Sequence, residues 1–204
     1  MRTAKTVLTV IQERGKQKKP IERVYKLLFN RELYLNAYAK LYPNNGAMTK
    51  GVTNETVDGM SIQKIDRMIE ILREEKYQWK PARREYIKKK NGKKRPLGIP
   101  VWGDKVLQEV MRQILEAYYE PQFSEHSHGF RPNRGCHTAL QEIQVWKGTR
   151  WFIEGDISQY FDTIDHKILL EILARNIHDG RFIRLVSNCL LYTSPSPRDG
   201  ATSR

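Results

Sequence analysis

The segment REYIKKKNGKKRPLGIP, residues 84–100, constrains the fold more than any other part of the chain. Asn91-Gly92 lies between two stretches suited to extended backbone, and this dipeptide is the strongest short-range signal for a β-hairpin. Such a hairpin places cationic side chains opposite one another, which destabilises a pair of strands. We therefore expect bound phosphates to complete this element.

The positive charge of the chain is concentrated around this hairpin. The 204 residues, enough for one core or one domain with a subdomain, contain 36 Lys and Arg against 23 Asp and Glu, a formal net charge of +13. Between Lys80 and Arg95, Glu85 is the one acid among nine basic residues. This block favours nucleic acid first and an acidic membrane surface second, although a solvated face has the same composition. No apolar run reaches the roughly 20 residues that span a bilayer, so we expect no membrane span.

Apolar periodicity and caps predict the other elements. Helices are expected over 21–41, after the Ser61 cap, over 106–118 until Pro121, around 139–143, and over 164–173. Residues 43–59 are rich in Asn, Gly and Thr and predict a long loop, which in a compact domain is usually functional. WFIEGDI, residues 151–157, alternates as a strand does. Hairpin, helices, strand and helix in this order indicate an α+β fold.

The strand carries a carboxylate, Asp156, on the same face as Phe152 and Glu154. An ionised carboxylate on a half-buried strand is costly unless it is paired or holds a metal. Phosphoryl transfer by two metals requires an acid held rigidly in this way. An Asp that pairs with a nearby Arg, or that caps a turn, explains the same pattern. His126, His128 and His137 show no arrangement typical of metal ligands, and we interpret them as ordinary polar residues.

Four segments together resemble a known family. KKRPLGIP, SHGFRPNRG and FIEGDISQYFDTIDH resemble, in order and spacing, the first segments of reverse transcriptases encoded by group II introns, the intron maturases. NNGAMTKGV and ETVDG resemble the extra N-terminal segment of that group, and the similarity covers about residues 30 to 185. The resemblance implies right-hand polymerase fingers with the first strand and helices of the palm, truncated. It divides the chain into a helical extension (1–42), fingers (43–150), the start of the palm (151–188) and a tail (189–204).

The resemblance also implies a metal site. Asp156 matches the first metal-binding aspartate, with the backbone carbonyl of Ile157 completing the site for Mg²⁺. Phe161 falls where the family places the aromatic gate that excludes a ribose 2′-OH, although core packing also accounts for a phenylalanine there.

Basic residues of the hairpin match the family's nucleotide site. The resemblance places Lys89 and Arg95 on the incoming triphosphate, with Arg83 supporting them, and such charges stabilise the transferring phosphates. If Lys89 and Arg95 act together, the loop should be 91–93, which brings Lys89 opposite Arg95. A two-residue turn would place them on opposite faces.

Template contacts are implied at three further positions. Ile99 and Pro100 resemble the apolar shelf under the templating base, and Arg131 resembles a template or phosphate contact. Simple core burial is the alternative for Ile99.

The activity implied is RNA-directed DNA polymerisation, with assistance to intron splicing and mobility. Its partners would be intron RNA template, DNA primer and deoxynucleoside triphosphates, in a bacterial cytoplasm or an organelle. A non-catalytic RNA-binding maturase module and another bacterial reverse transcriptase lineage are the alternatives. The sequence contains no Asp-Asp pair, which the family uses to complete its metal site, so we expect this chain alone to be inactive. CLLYTSPSPRD, residues 189–199, resembles a translated sequencing adapter, with a natural Ser/Pro-rich tail as the alternative.

Overall fold

The computed structural model describes residues 2–88, 92, 94–157 and 160–193, and its helices and short strands confirm the predicted α+β class. The helices are α1 (Ala4–Lys16), α2 (Arg31–Leu41), α3 (Ile62–Arg73), α4 (Trp102–Tyr119), α5 (Cys136–Gln144), α6 (Tyr160–Thr163), α7 (His166–Asn176) and α8 (Gly180–Thr193). The strands are β1 (Ile21–Glu22), β2 (Arg83–Lys88), β3 (Lys94–Ile99) and β4 (Ile177–His178). Short 3₁₀ segments occupy Val24–Phe29, Val57–Gly59 and Glu120–Gln122.

Helix α4 is the centre of the fold, and it confirms the helix predicted from apolar periodicity. Its inward face is fully buried, and α1 and α2 pack along it. The fully buried side chains of this face are Val106, Leu107, Val110, Ile114 and Tyr118. Gly15 allows α1 to approach closely, because a Cβ atom there would lie 2.1 Å from the carbonyl oxygen of Tyr118. The stripe read from the sequence is therefore the one that organises the core.

Two of the predicted helices begin at side-chain caps, and the cap predicted at Ser61 is confirmed. The Ser61 hydroxyl accepts a hydrogen bond from the Lys64 N–H at 3.2 Å and begins α3. The Asp165 carboxylate accepts from the Lys167 N–H at 2.9 Å and begins α7. Each cap satisfies a donor that the first turn leaves without an intrahelical acceptor.

The single helix predicted over 21–41 is wrong. Arg23 adopts a left-handed backbone conformation with φ of 54°, which interrupts helical geometry. Ile21 instead pairs with Ile177 in the parallel β1–β4 ladder. A new helix, α2, then begins where the Asn30 side chain accepts from the Glu32 N–H at 3.0 Å. The apolar spacing was correct, but it belongs to three short elements rather than one.

The strand predicted over 151–157 is also wrong. These residues form no regular structure, and the side chains of Trp151 and Ile153 are 87% and 93% exposed. A strand requires a neighbour for its backbone hydrogen bonds, and an isolated one is not stable in water. Among the described residues, the two ladders β1–β4 and β2–β3 account for every strand, so this segment has no partner.

One hydrophobic cluster joins residues from α1 to α8, from Ala4 to Val186. It therefore crosses the boundaries predicted at residues 42 and 150, which stay predictions. Helix α8 continues through residue 188 to Thr193, so the first residues of the predicted tail are helical. Within the part of the chain that the structure describes, none of the helices is both long and apolar enough to cross a membrane.

Candidate nucleic-acid interface

The predicted hairpin is present, as the antiparallel pair β2–β3. Lys88 opposes Lys94 in the last pair of the ladder, and Ile87 opposes Arg95. The predicted register, with Lys89 opposite Arg95, is therefore wrong by two residues. Asn91-Gly92 predicts that the chain turns, but it does not set the register of the two strands. Lys89 and the side chain of Arg95 lie outside the described part of the structure.

Beyond its base, where Ile99 is buried and Arg83 is half-buried, the described side chains of the hairpin are exposed. Arg84, Lys88 and Lys94 are exposed, and the Lys88–Lys94 pair places two like charges directly opposite each other. Tyr86 shares their face and is 61% exposed. Cations interleaved with an exposed aromatic ring suit the phosphates and bases of a nucleic acid strand.

Two cations fasten the loop over residues 43–59, Arg83 at the base of the hairpin and Lys105 on α4. The Arg83 Nε donates to the Lys50 carbonyl at 3.0 Å, and its guanidinium pairs with Glu85. The Lys105 ammonium, on α4, donates to the carbonyls of Gly46 and Thr49 at 3.2 and 3.1 Å. The contacts of Arg83 hold the loop, and its predicted support of the triphosphate stays a prediction.

Lys105 itself lies in a partly desolvated position. Burial lowers the pKa of its ammonium, and the nearby Arg83 guanidinium lowers it further. The same loop presses Gly51 against the backbone after the hairpin, where a Cβ atom would lie 2.8 Å from the Val101 nitrogen. The loop, the end of β3 and the start of α4 are therefore closely packed.

The two shelf residues differ in exposure. Ile99 is 6% exposed, whereas Pro100 is half-buried. The burial of Ile99 favours the core-packing alternative for this residue, and Pro100 keeps part of its ring accessible.

The Arg131 guanidinium is held by groups of the fold itself. Its guanidinium donates to the Glu120 carboxylate, at 3.0 Å from Nε and 2.8 Å from Nη2. The other terminal nitrogen donates to the carbonyls of Ser124 and Ser127, at 2.6 and 2.8 Å. The side chain is 8% exposed. Arg131 therefore fastens residues 120–131 through these donors, and the predicted template or phosphate contact stays a prediction.

Asp156 and Ile157 are exposed rather than half-buried on a strand. Among the described residues, Asp156 forms no ion pair, so it is not neutralised by an arginine there. Carboxylate and carbonyl oxygens are ligands that suit Mg²⁺. However, no group of three or more His, Cys, Asp or Glu suited to a metal occurs within the described ranges, so these two donors alone do not form a magnesium site. The Phe161 side chain lies outside the described part of the structure.

Two clusters were missed by sequence reasoning. The Glu142 carboxylate accepts a hydrogen bond from His128 Nε2 at 2.8 Å, and His128 Nδ1 shares a hydrogen bond with Thr138 Oγ1 at 2.8 Å. His126 pairs with the same carboxylate, and these hydrogen bonds hold the pKa of Glu142 below its usual value, with His128 contributing most. The hydrogen-bond partners lie ten to sixteen residues apart in the sequence, and neither the helix period nor the strand period predicts contacts at that separation.

The second missed cluster surrounds Asp104, which is 2% exposed. Its carboxylate accepts from the Tyr77 hydroxyl at 2.7 Å and from the Lys80 N–H at 3.0 Å. Burial raises the pKa of this carboxyl despite both hydrogen bonds. The sequence offered one signal, an acid in the first turn of α4. Acids are common there because they interact favourably with the helix dipole.

Comparison with known proteins identifies the class. Residues 87–201 match the family described as reverse transcriptase (RNA-dependent DNA polymerase). The chain therefore belongs to the reverse transcriptase family, and to its group II intron-encoded branch.

The relatives support this branch assignment. The chain is 49% identical to the group II intron-encoded protein LtrA of Lactococcus lactis over 80% of its own length and 28% of that protein. It is 46% identical to an uncharacterized 91 kDa protein in the cob intron of Schizosaccharomyces pombe, over 92% of the chain and 24% of that protein. It is 35% identical to nuclear intron maturase 1, mitochondrial, of Arabidopsis thaliana, over 46% of the chain and 13% of that protein. The chain spans about a quarter of the length of the first two of these relatives.

Proposed function

We propose that this chain supplies the fingers and the start of the palm of an RNA-directed DNA polymerase that also assists the splicing and mobility of its group II intron RNA. The observation that carries the proposal is the exposed basic hairpin, in which Lys88 faces Lys94 without an acid between them. Such a pair is stabilised when phosphates bind across it. The partners would be intron RNA, a DNA primer and deoxynucleoside triphosphates, in a bacterial cytoplasm or an organelle.

The catalytic part of the proposal concerns residues beyond the hairpin. Asp156 and the Ile157 carbonyl would supply two of the oxygen ligands of a magnesium site. Magnesium in such a site neutralises charge on the transferring phosphates. Lys89 and Arg95 would bind the triphosphate, and Phe161 would select against a ribose 2′-OH.

The chain by itself would not polymerise, because it has no Asp-Asp pair to complete the ligand set. RNA binding is the proposed activity that does not depend on a complete metal site. A non-catalytic maturase module is therefore the second candidate function, and the same exposed hairpin favours it.

RNA binding by the chain itself tests the shared part of both proposals. We expect Lys88→Ala with Lys94→Ala to weaken RNA binding and to reduce the salt slope by about 2, one for each lost phosphate contact. Lys26→Ala with Lys167→Ala is the matched control, since both lysines are exposed and lie outside the hairpin. Equal losses of RNA affinity in the two double variants would show that the number of positive charges, rather than their position on the hairpin, governs binding.

Primer extension distinguishes the polymerase from the module. In a full-length protein that carries this chain, Asp156→Ala should abolish extension and leave RNA affinity nearly unchanged. A variant that still extends primers removes Asp156 from the mechanism. Phe161→Ala should admit ribonucleotides, and unchanged sugar selectivity would assign Phe161 to packing.

A further inference from the structure

A cavity of about 510 Å³ lies between α3 and the first turn of α4, and we call it the α3–α4 cavity. It is bounded by α3, residues 55–60, residues 76–80 and the start of α4. Half-buried apolar side chains line it, namely Met60, Met68, Ile71 and Tyr77. Its volume falls within the range of small-molecule sites, and methionine side chains adapt readily to ligands of different shape.

Four cations line the same cavity: Lys64, Arg67, Lys76 and Lys80. Two of them have acidic partners, since Lys64 pairs with Glu55 and Lys76 pairs with a neighbouring glutamate. Neither Arg67 nor Lys80 forms an ion pair within the described residues. The cavity therefore combines an apolar lining with two cations that are available to an anion.

The acids of the lining do not cancel this charge. Glu55 is held by Lys64 at 3.2 Å. Asp104 is buried and engaged by the Tyr77 hydroxyl and the Lys80 N–H. The Lys80 ammonium also acts on the Asp104 carboxylate, whose pKa it lowers, but the two groups form no ion pair. An anion that enters the cavity thus meets a hydrogen-bonded carboxylate and two cations that have no ion pair among the described residues.

The start of α4 adds hydrogen-bond donors to the cavity wall. Val101 stands at the N-cap without a side-chain cap, so donors of the first turn lack that partner. Trp102 lines the cavity, and its buried indole N–H has no acceptor among the described residues. Gly103 also lines it, and a Cβ atom there would make only an ordinary contact, 4.0 Å from the Met68 sulfur. Residues at the start of α4 therefore carry unsatisfied hydrogen-bond donors and leave open space in the cavity wall.

We infer that the α3–α4 cavity binds one unpaired nucleotide of RNA, with its base against Met60 and Met68 and its phosphate at Arg67 and Lys80. An apolar lining suits the face of a base, and unpaired cations suit the adjoining phosphate. The oxygens of a nucleotide also supply acceptors for the donors at the start of α4. This inference rests on the proposed function for the identity of the partner, but it assigns a site separate from the hairpin and from Asp156.

Titration of the chain with uridine and adenosine 5′-monophosphates, followed by calorimetry, tests the cavity directly. We expect Gly103→Leu to weaken binding by about tenfold or more, because the leucine side chain occupies the cavity. Leucine is a better helix former than glycine, so the variant should fold. Gly180→Leu is the matched control, since Gly180 lies in the first turn of α8 with no atom near its Cβ position. Equal effects of the two substitutions would overturn the proposal.

Charge variants give an independent measurement. Arg67→Ala and Lys80→Ala should each weaken monophosphate binding by about tenfold, as expected when one charge-assisted hydrogen bond to a phosphate is lost. If inorganic phosphate binds as tightly as the nucleotides, and Gly103→Leu leaves its affinity unchanged, the site is only a surface contact for anions. That result would overturn the proposal. Laurate that binds more tightly than either nucleotide would overturn it in favour of a lipid acid.

Crosslinking with RNA separates this inference from the proposed function. A single-stranded oligonucleotide containing 4-thiouridine should crosslink to peptides that contain Met60, Met68 or Trp102, and Gly103→Leu should remove those crosslinks. Crosslinks confined to β2–β3 would leave RNA binding in place and overturn the cavity site alone. Loss of RNA binding in the Lys88 and Lys94 variant, with monophosphate binding unchanged, would support both sites independently.

Discussion

Replacing Arg131 by alanine tests whether this side chain stabilises the fold or binds the template. The wild-type guanidinium binds the Glu120 carboxylate through two nitrogens and also donates to the carbonyls of Ser124 and Ser127. Alanine removes all of these contacts at once. It leaves a glutamate whose side chain is 24% exposed without its counter-charge.

The size of the effect follows from that exposure. Breaking a fully buried ion pair by removing one partner costs about 3–5 kcal/mol, because the other charge is left uncompensated. Glu120 retains some access to water, which lowers the expected loss to about 3 kcal/mol. For a chain of this length such a loss lowers the melting temperature by roughly 6–12 °C.

Thermal unfolding and RNA titration on the same variants check this reasoning. Arg131→Lys should recover only part of the loss, since an ammonium cannot bind a carboxylate in the same bidentate way. Arg150→Ala is the control, because Arg150 is exposed and should change stability by less than about 0.5 kcal/mol. An unchanged melting temperature in Arg131→Ala, together with a salt slope for RNA lower by about 1, would refute the structural role and restore the template contact.

Three further substitutions follow from the packing and the charge clusters. Gly15→Ala should lower the melting temperature through a cost of about 1–3 kcal/mol, because the new Cβ would meet the Tyr118 carbonyl and force α1 away from α4. Glu142→Gln should flatten the loss of stability on acidification. The pKa of Glu142 is lowered in the folded state, so its contribution is present above the ordinary value of 4.5 and is lost as pH falls through the lowered pKa. Asp104→Ala should cost about 1–3 kcal/mol, since the Tyr77 hydroxyl and the Lys80 N–H lose their acceptor, whereas Asp104→Asn should retain most of the stability.

The measurements for these three are thermal melts, with a pH series from 3 to 6 for Glu142→Gln. Unchanged melting of Gly15→Ala would contradict the close approach of α1 to α4. Parallel pH profiles of wild type and Glu142→Gln would remove the histidine contacts as the cause. Because burial raises the pKa of Asp104, wild type should also gain stability relative to Asp104→Asn as pH falls from neutrality towards the ordinary value of 3.8.

The sequence predicted well whatever depends on local chemistry. The Ser61 cap, the long apolar stripe of α4 and the pairing of two strands as a hairpin around residues 84–100 each depend on residues close together in the chain, and each is confirmed. Local patterns are strong when one short segment satisfies its own hydrogen bonds or buries one face.

The errors arose where distant residues decide the outcome. Ile21 finds Ile177, so the expected helix over 21–41 is broken by a ladder between residues 156 positions apart. The alternating segment 151–157 has strand periodicity, but periodicity does not supply a neighbouring strand. The Arg131–Glu120 pair and the Glu142 cluster likewise depend on how loops fold back, which residue type and spacing do not encode.

The pairing of β1 with β4 has a consequence for how the chain is made. Residues at 21–22 leave the ribosome long before residues 177–178, and Ile21 is 1% exposed only once both are present. Phe182 and Leu185 join the same core from α8. Until α8 has been synthesised, the apolar faces of the early helices therefore stay exposed to water. Nascent chains in such a state recruit chaperones or aggregate. Folding of this chain should be completed after translation of α8 rather than element by element.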